Sequence, residues 1–207
     1  WAKNDGLEGR TRYIIEDDYD SEFRYKGKPV PALQGYDNQE CVIYIGTFSK
    51  SIAPAIRMSY LVLPKPLLQR YHENCGFLSS TVSRVDQLIL QKFIEDGYYE
   101  RHLNKMRALY KNRHDVLLAC LKKMGDSFQI SGEHAGVHLL LRFEDGRKEE
   151  ELIRKAKESG IRVYGLSQYC IKPDKNEEGQ ATILLGYANM SEEAIREAAA
   201  LLKTAWK

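Results

Sequence analysis

The sequence predicts an α/β fold followed by a smaller α+β unit, on three observations. Residues 12–63 carry three short apolar runs separated by turn-rich stretches. Residues 82–123 repeat apolar side chains at helical spacing. Residues 128–207 alternate strand-like and helix-like segments.

The first run, RYIIEDD (residues 12–18), has a short apolar centre and ends in acids. The second, CVIYIGT (41–47), is β-branched and aromatic and is stopped by glycine, and the third, RMSYLVLP (57–64), is stopped by Pro64. Their near-continuous apolar character predicts strands covered on both faces. Val82, Val85, Leu88, Ile89, Phe93 and Ile94 predict a helix, which Asp96-Gly97 interrupts. The pattern resumes through Leu103, Met106, Leu109 and Tyr110 and ends near Gly125. Then come a strand GVHLLLRF (136–143), a helix RKEEELIRKAKESG (147–160) and strands IRVYGL (161–166) and ATILLGYA (181–188), the last two separated by the polar loop 172–180. The final helix, SEEAIREAAALLKTAW (191–206), takes Ser191 as N-cap and has two glutamates at its positive end.

The 207 residues carry 31 basic and 29 acidic side chains, a net charge of +2 that offers no electrostatic argument for nucleic-acid binding by this segment. No apolar run approaches the roughly 18 residues of a membrane helix. Cys41, Cys75, Cys120 and Cys170 are irregularly spaced, fit no zinc pattern, and are expected to be the reduced thiols of a cytoplasmic protein. The polar opening WAKNDGLEGR reads as a helix end and a turn, so the chain is expected to be a piece of a longer one.

Chemistry concentrates around Lys50. The second run delivers GTFSKSIAPAIR (46–57) at the carboxyl end of its strand, where α/β sheets bind ligands. Thr47, Ser49 and Ser51 supply hydroxyls, and Arg57 a forked cation suited to phosphate. A lysine there is a solvated loop residue, a phosphate counter-ion or a Schiff-base former. The GxxxxGK[ST] spacing of a nucleotide loop is absent. Pyridoxal phosphate needs an imine-forming lysine, a phosphate cradle and an acid for its ring nitrogen. EDDYDSEF (16–23) ends the preceding strand and offers that acid, with the Tyr19 phenol for the 3-oxygen. The acids of DDYD lack the glycine and downstream glutamate of a calcium loop. His134 and His138 flank Gly136 in a strand-like segment and are read as structural, so no metal site is expected.

IIEDDYDSEFRY (14–25) followed by YIGTFSKSIAPAIRMSYLVLP (44–64), with LLGYANMSEEAI (184–195) near the end, resembles the aminotransferase-like domain of MocR/GabR-type transcriptional regulators, a branch of the GntR regulators. The resemblance runs the length of the chain. It implies part of a fold-type I pyridoxal-phosphate (PLP) aminotransferase large domain in residues 1–97, then an interdomain helix and a small α+β C-terminal domain in residues 98–207. It makes Lys50 the Schiff-base and catalytic lysine, Asp17 the acid at the pyridine nitrogen with Asp18 one residue away as the alternative, and Tyr19 the phenol at the 3-oxygen. Thr47, Ser49 and Arg57 become the phosphate holders. It further implies a homodimer, an amino-compound effector, and DNA contact only through a winged helix-turn-helix ahead of Trp1, where the glycine-rich phosphate loop and the ring-stacking aromatic also belong. Members often hold a substrate carboxylate with an arginine in an R-L-x-F strand, where this chain has Leu184; Arg142 and Arg162 lie on nearby segments without an assigned role. Two functions share these motifs: an effector-sensing regulator and an active aminotransferase. This chain alone is expected to hold the cofactor weakly or not at all.

Overall fold

A computed structural model describes residues 12–171 and 180–207. The helix end and turn expected in residues 1–10 lie outside the described residues, as does loop 172–180 apart from Gln180. The chain forms two compact units, one of residues up to 22 together with 28–106, the other of residues 23–27 and 107–207.

The first unit is built on three strands, β1 (Ile14–Asp18), β2 (Val42–Thr47) and β3 (Ser59–Val62), in that order in the sheet. β1 and β2 are parallel, from Ile14 opposite Val42 to Asp18 opposite Gly46, so both carboxyl ends reach the same edge. β3 returns antiparallel, with Thr47 opposite Ser59. The long connection between β1 and β2 holds its shape with two carboxylates. Glu16 accepts the N–H groups of Leu33 and Gln34 at 2.7 and 2.9 Å, starting the 3-10 turn Leu33–Tyr36. Asp37 accepts those of Gln39, Cys41 and Val42 at 2.9, 2.7 and 2.7 Å and so launches β2.

One expectation fails here. Apolar runs predict strands buried on both faces, yet Ile15 is 65% exposed, Leu61 is 59% exposed, and all four residues of β3 are exposed. An apolar run becomes a buried strand only where a second layer lies on it, and among the described residues the face carrying Ile15 and Leu61 has none.

α1 (Phe48–Ser51) follows β2 directly, and α2 (Lys65–Cys75) follows β3. α3 (Arg84–Glu95) and α4 (Tyr98–Lys122) are split at Asp96-Gly97, where Gly97 takes φ +72°. α2 was not foreseen in the sequence. α4 begins in the first unit and ends in the second, the change falling between Met106 and Arg107.

The second unit is a four-stranded antiparallel sheet in the order β4 (Gln129–Ser131), β5 (His138–Phe143), β7 (Ala181–Gly186), β6 (Tyr164–Gly165), with α5 (Glu149–Glu158) and α6 (Glu192–Ala205). Strand alternation sorts its faces. Leu139, Leu141 and Phe143 pair with Leu185, Ile183 and Ala181 and join Leu117, Leu121, Leu152, Ile195 and Leu202 in the core. Each such leucine or isoleucine contributes about 1.5–3 kcal/mol by burial. His138, Leu140 and Arg142, opposite Gly186, Leu184 and Thr182, take the other face. Ser191 caps α6 by accepting the Ala194 N–H at 3.2 Å, as its sequence predicts. The strand expected over 161–166 shrinks to two residues, because a 3-10 turn, Leu166–Tyr169, begins immediately after it. Among the described residues no helix is long and apolar enough to cross a membrane.

Candidate functional site

The parallel register of β1 and β2 puts Asp17 beside Ile45 and Asp18 beside Gly46. Side chains in register share a face. Asp17 therefore lies on the face of Ile45 and Thr47, whereas Asp18 lies on that of Tyr44 and Gly46. Asp18 is fully used: it accepts the Tyr44 hydroxyl at 2.7 Å, the Ser21 hydroxyl at 2.8 Å and the Ser21 N–H at 3.2 Å. Asp17 is exposed and makes no hydrogen bond among the described residues. Tyr19 follows, 43% exposed, its phenol held above the ordinary range by Asp20 first, then burial, then Asp17.

Thr47 ends β2 and caps α1. Its Oγ1 accepts the Ser49 N–H at 3.1 Å and donates to the Met58 carbonyl at 3.1 Å. The same carbonyl accepts the Phe48 N–H at 3.0 Å, so the segment from Thr47 to Met58 is closed at its neck. Within it Lys50 is exposed on α1, without a hydrogen bond or ion pair among the described residues. Arg57 follows the 3-10 turn Pro54–Ile56 in the left-handed region, at φ +49° and ψ +34°. That conformation is costly for a residue with a Cβ, and such strain gathers at functional loops. Arg57 is also exposed and unpaired among the described residues. Lys50, Thr47, Ser49 and Arg57 thus share one closed loop, at the same sheet edge as Asp17 and Tyr19.

A second set of residues, not singled out in the sequence, supports this loop from the face opposite Asp17. Ser51, next to Lys50, is 1% exposed and accepts the Tyr99 hydroxyl at 3.1 Å. Phe48 packs on Tyr60 and Tyr99 with ring centroids 5.4 and 5.9 Å away. Tyr60 lies over Gly46, where an added Cβ would come within 2.3 Å of its ring, and 6.1 Å from the Tyr44 ring. Burial raises the Tyr99 phenol, and burial followed by the Asp18 and Tyr60 hydrogen bonds raises that of Tyr44, so both remain protonated donors.

The donor set suits pyridoxal phosphate: a primary amine, a carboxylate with spare acceptor capacity, a phenol, a serine hydroxyl and an unpaired guanidinium, all at strand ends. Thr47 is the constrained member, since its hydrogen is already given to Met58.

The profile of the family "Aminotransferase class I and II" matches residues 13–202. An uncharacterized HTH-type transcriptional regulator of Bacillus subtilis, YdeL, is 45% identical over 197 residues, covering 94% of this chain and 42% of that protein. The probable rhizopine catabolism regulatory protein MocR of Rhizobium meliloti is 36% identical over 201 residues, covering 96% of this chain and 40% of that protein. The chain therefore spans less than half the length of these relatives. Among solved structures, the multiple substrate aminotransferase of Thermococcus profundus superposes with a TM-score of 0.82 at 27% identity, covering 93% of this chain and 47% of that one.

Proposed function

The chain belongs to the class I and II aminotransferase family, and from that premise we propose that it is the effector-sensing, aminotransferase-like domain of a GntR/MocR-type transcriptional regulator. Residues 1–97 are part of the cofactor-binding large domain, and residues 98–207 the interdomain helix and small domain. The cofactor is pyridoxal phosphate, which when bound supplies an aldehyde for amines and a ring that withdraws electrons. The observation that carries the regulator reading is the 45% and 36% identity to the two HTH-type regulators over nearly all of this chain; the cofactor part rests on the adjacent carboxylates, one engaged by Tyr44 and Ser21 and the other left open beside the Lys50 loop.

Each residue then has a task. Lys50 would anchor the cofactor through its amine, the group an incoming amino compound would have to replace. Asp17 keeps a proton on the ring nitrogen. Tyr19, whose phenol stays protonated beside Asp20 and Asp17, donates to the 3-oxygen. Arg57 and Ser49 hold the phosphate; Thr47 reaches it only by releasing the Met58 carbonyl. Two copies form a homodimer in the cytoplasm, and DNA is contacted through a winged helix-turn-helix outside this chain. This chain by itself holds the cofactor weakly, because Lys50 and Arg57 lie exposed and water hydrolyses an open imine.

The likeness to a multiple substrate aminotransferase favours a second reading, an active aminotransferase. Incubating the cofactor-loaded protein with an amino donor and a 2-oxo acid separates them. Absorbance changes on amine addition without sustained product formation support the sensor; turnover supports the enzyme.

A further inference from the structure

We propose a small-carboxylate site in the second unit, at the β6 edge of its sheet. A cavity of about 530 Å³ is lined there by Ile153, Lys157, Ile161, Arg162, Tyr164 and Gln168. Its polar side chains are conspicuous for what they do not touch. On α5 the neighbouring cations are paired, Lys155 with Glu151 at 3.2 Å and Arg154 with Glu158 at 2.6 Å. Lys157 and Arg162, the two cations that line the cavity, meet no carboxylate among the described residues. The Gln168 amide and the Tyr164 hydroxyl also lack a hydrogen-bond partner among them.

Arg162 is also pre-set. Its guanidinium carbon lies 5.1 Å from the Tyr164 ring centroid, a cation–π contact that favours this placement of an otherwise exposed side chain. The backbone beneath is hydrogen-bonded: α5 closes with Ile161 N–H on the Ala156 carbonyl at 2.9 Å and Gly160 N–H on that of Lys157 at 3.0 Å, Gly160 taking φ +79°. A guanidinium fork that lines the same cavity as a second cation suits a carboxylate, and Ile153 and Ile161 give a hydrocarbon tail an apolar wall. The ligand class is a small monocarboxylate with a short aliphatic chain.

Titrating the isotope-labelled chain with 3-methylbutanoate, without cofactor, tests this by amide correlation spectra. Saturable shifts should cluster over Gly160–Gln168. Arg162→Ala should weaken binding about tenfold or more, as loss of a charge-assisted fork implies, and Arg162→Lys should restore only part of it. Lys157→Ala should weaken it less, and Lys50→Ala should change nothing, which keeps the outcome independent of the imine reading. Shifts scattered over the chain, equal binding by Arg162→Ala with well-dispersed spectra, or equal displacement by inorganic sulfate would overturn the proposal.

Discussion

Asp17 and Asp18 are neighbours in sequence and opposites in the sheet, and that separation decides how their variants behave. Asp17→Ala removes an open carboxylate and no hydrogen bond among the described residues. It should leave the urea midpoint nearly unchanged and strongly slow amine exchange on the cofactor-loaded protein, measured by absorbance. Asp18→Ala removes the acceptor of Tyr44 and Ser21. It should destabilise by roughly 1.5–3 kcal/mol, the range for a bond to a charged group, with a smaller effect on exchange. The reverse pattern would shift the ring contact one residue along. Tyr99→Phe tests the support beneath Lys50, since it removes the hydroxyl that donates to Ser51 at 3.1 Å and also lies 3.5 Å from a Glu22 carboxylate oxygen. It should cost about 1 kcal/mol in denaturant unfolding and alter the pH dependence of Schiff-base formation; an unchanged pH profile would reduce Tyr99 to a packing residue.

At the scale of elements, the β1–β2 connection depends on carboxylate caps. Asp37 has its acidity enhanced, chiefly by the Val42 N–H and further by those of Gln39 and Cys41. Its folded pKa lies below the unfolded one, so the unfolded chain binds the proton first, and the contribution is present above about pH 4 and lost as pH falls through the folded value. Asp37→Asn should therefore flatten part of the fall in urea midpoint between about pH 5 and pH 3; curves that stay parallel would assign that fall to other groups. Gly46→Ala should destabilise by about 1–3 kcal/mol, as overpacking does, because the Tyr60 ring must leave the strand. The strands of the first unit were legible because β-branched runs end at Gly46 and Pro64. α2 was not, since Pro64 and Pro66 read as a break and no residue of the helix is buried to set a period, although proline is at home in a first turn. Lys50 and Arg57 stand out in the sequence by residue type at a strand end, and Asp17 is named only through the family resemblance with Asp18 as its alternative, whereas the Tyr44, Tyr60 and Tyr99 support is not visible there, because contacts such as Tyr99 on Ser51 join residues 48 apart.

Over the whole molecule, apolar exposure is concentrated in the first unit, with Phe77 at 82%, Val85 at 65%, Leu88 at 60% and Ile89 at 63%. Exposed patches of this kind drive association. Light scattering should show an apparent mass that rises with concentration, and Leu88→Ser with Ile89→Ser should reduce the rise; a concentration-independent monomer would contradict it. Lys50 is exposed as well, and a weakly held imine calls for trapping rather than equilibrium binding. The chain is mixed with pyridoxal phosphate, reduced with borohydride and digested, and the labelled lysine is found by mass spectrometry. Lys50 should be labelled ahead of the other lysines, Lys50→Ala should abolish the selective adduct, and Arg57→Ala should lower its yield through loss of the phosphate contact. Labelling spread evenly over the lysines, or a selective adduct that survives Lys50→Ala, would contradict the Lys50 assignment.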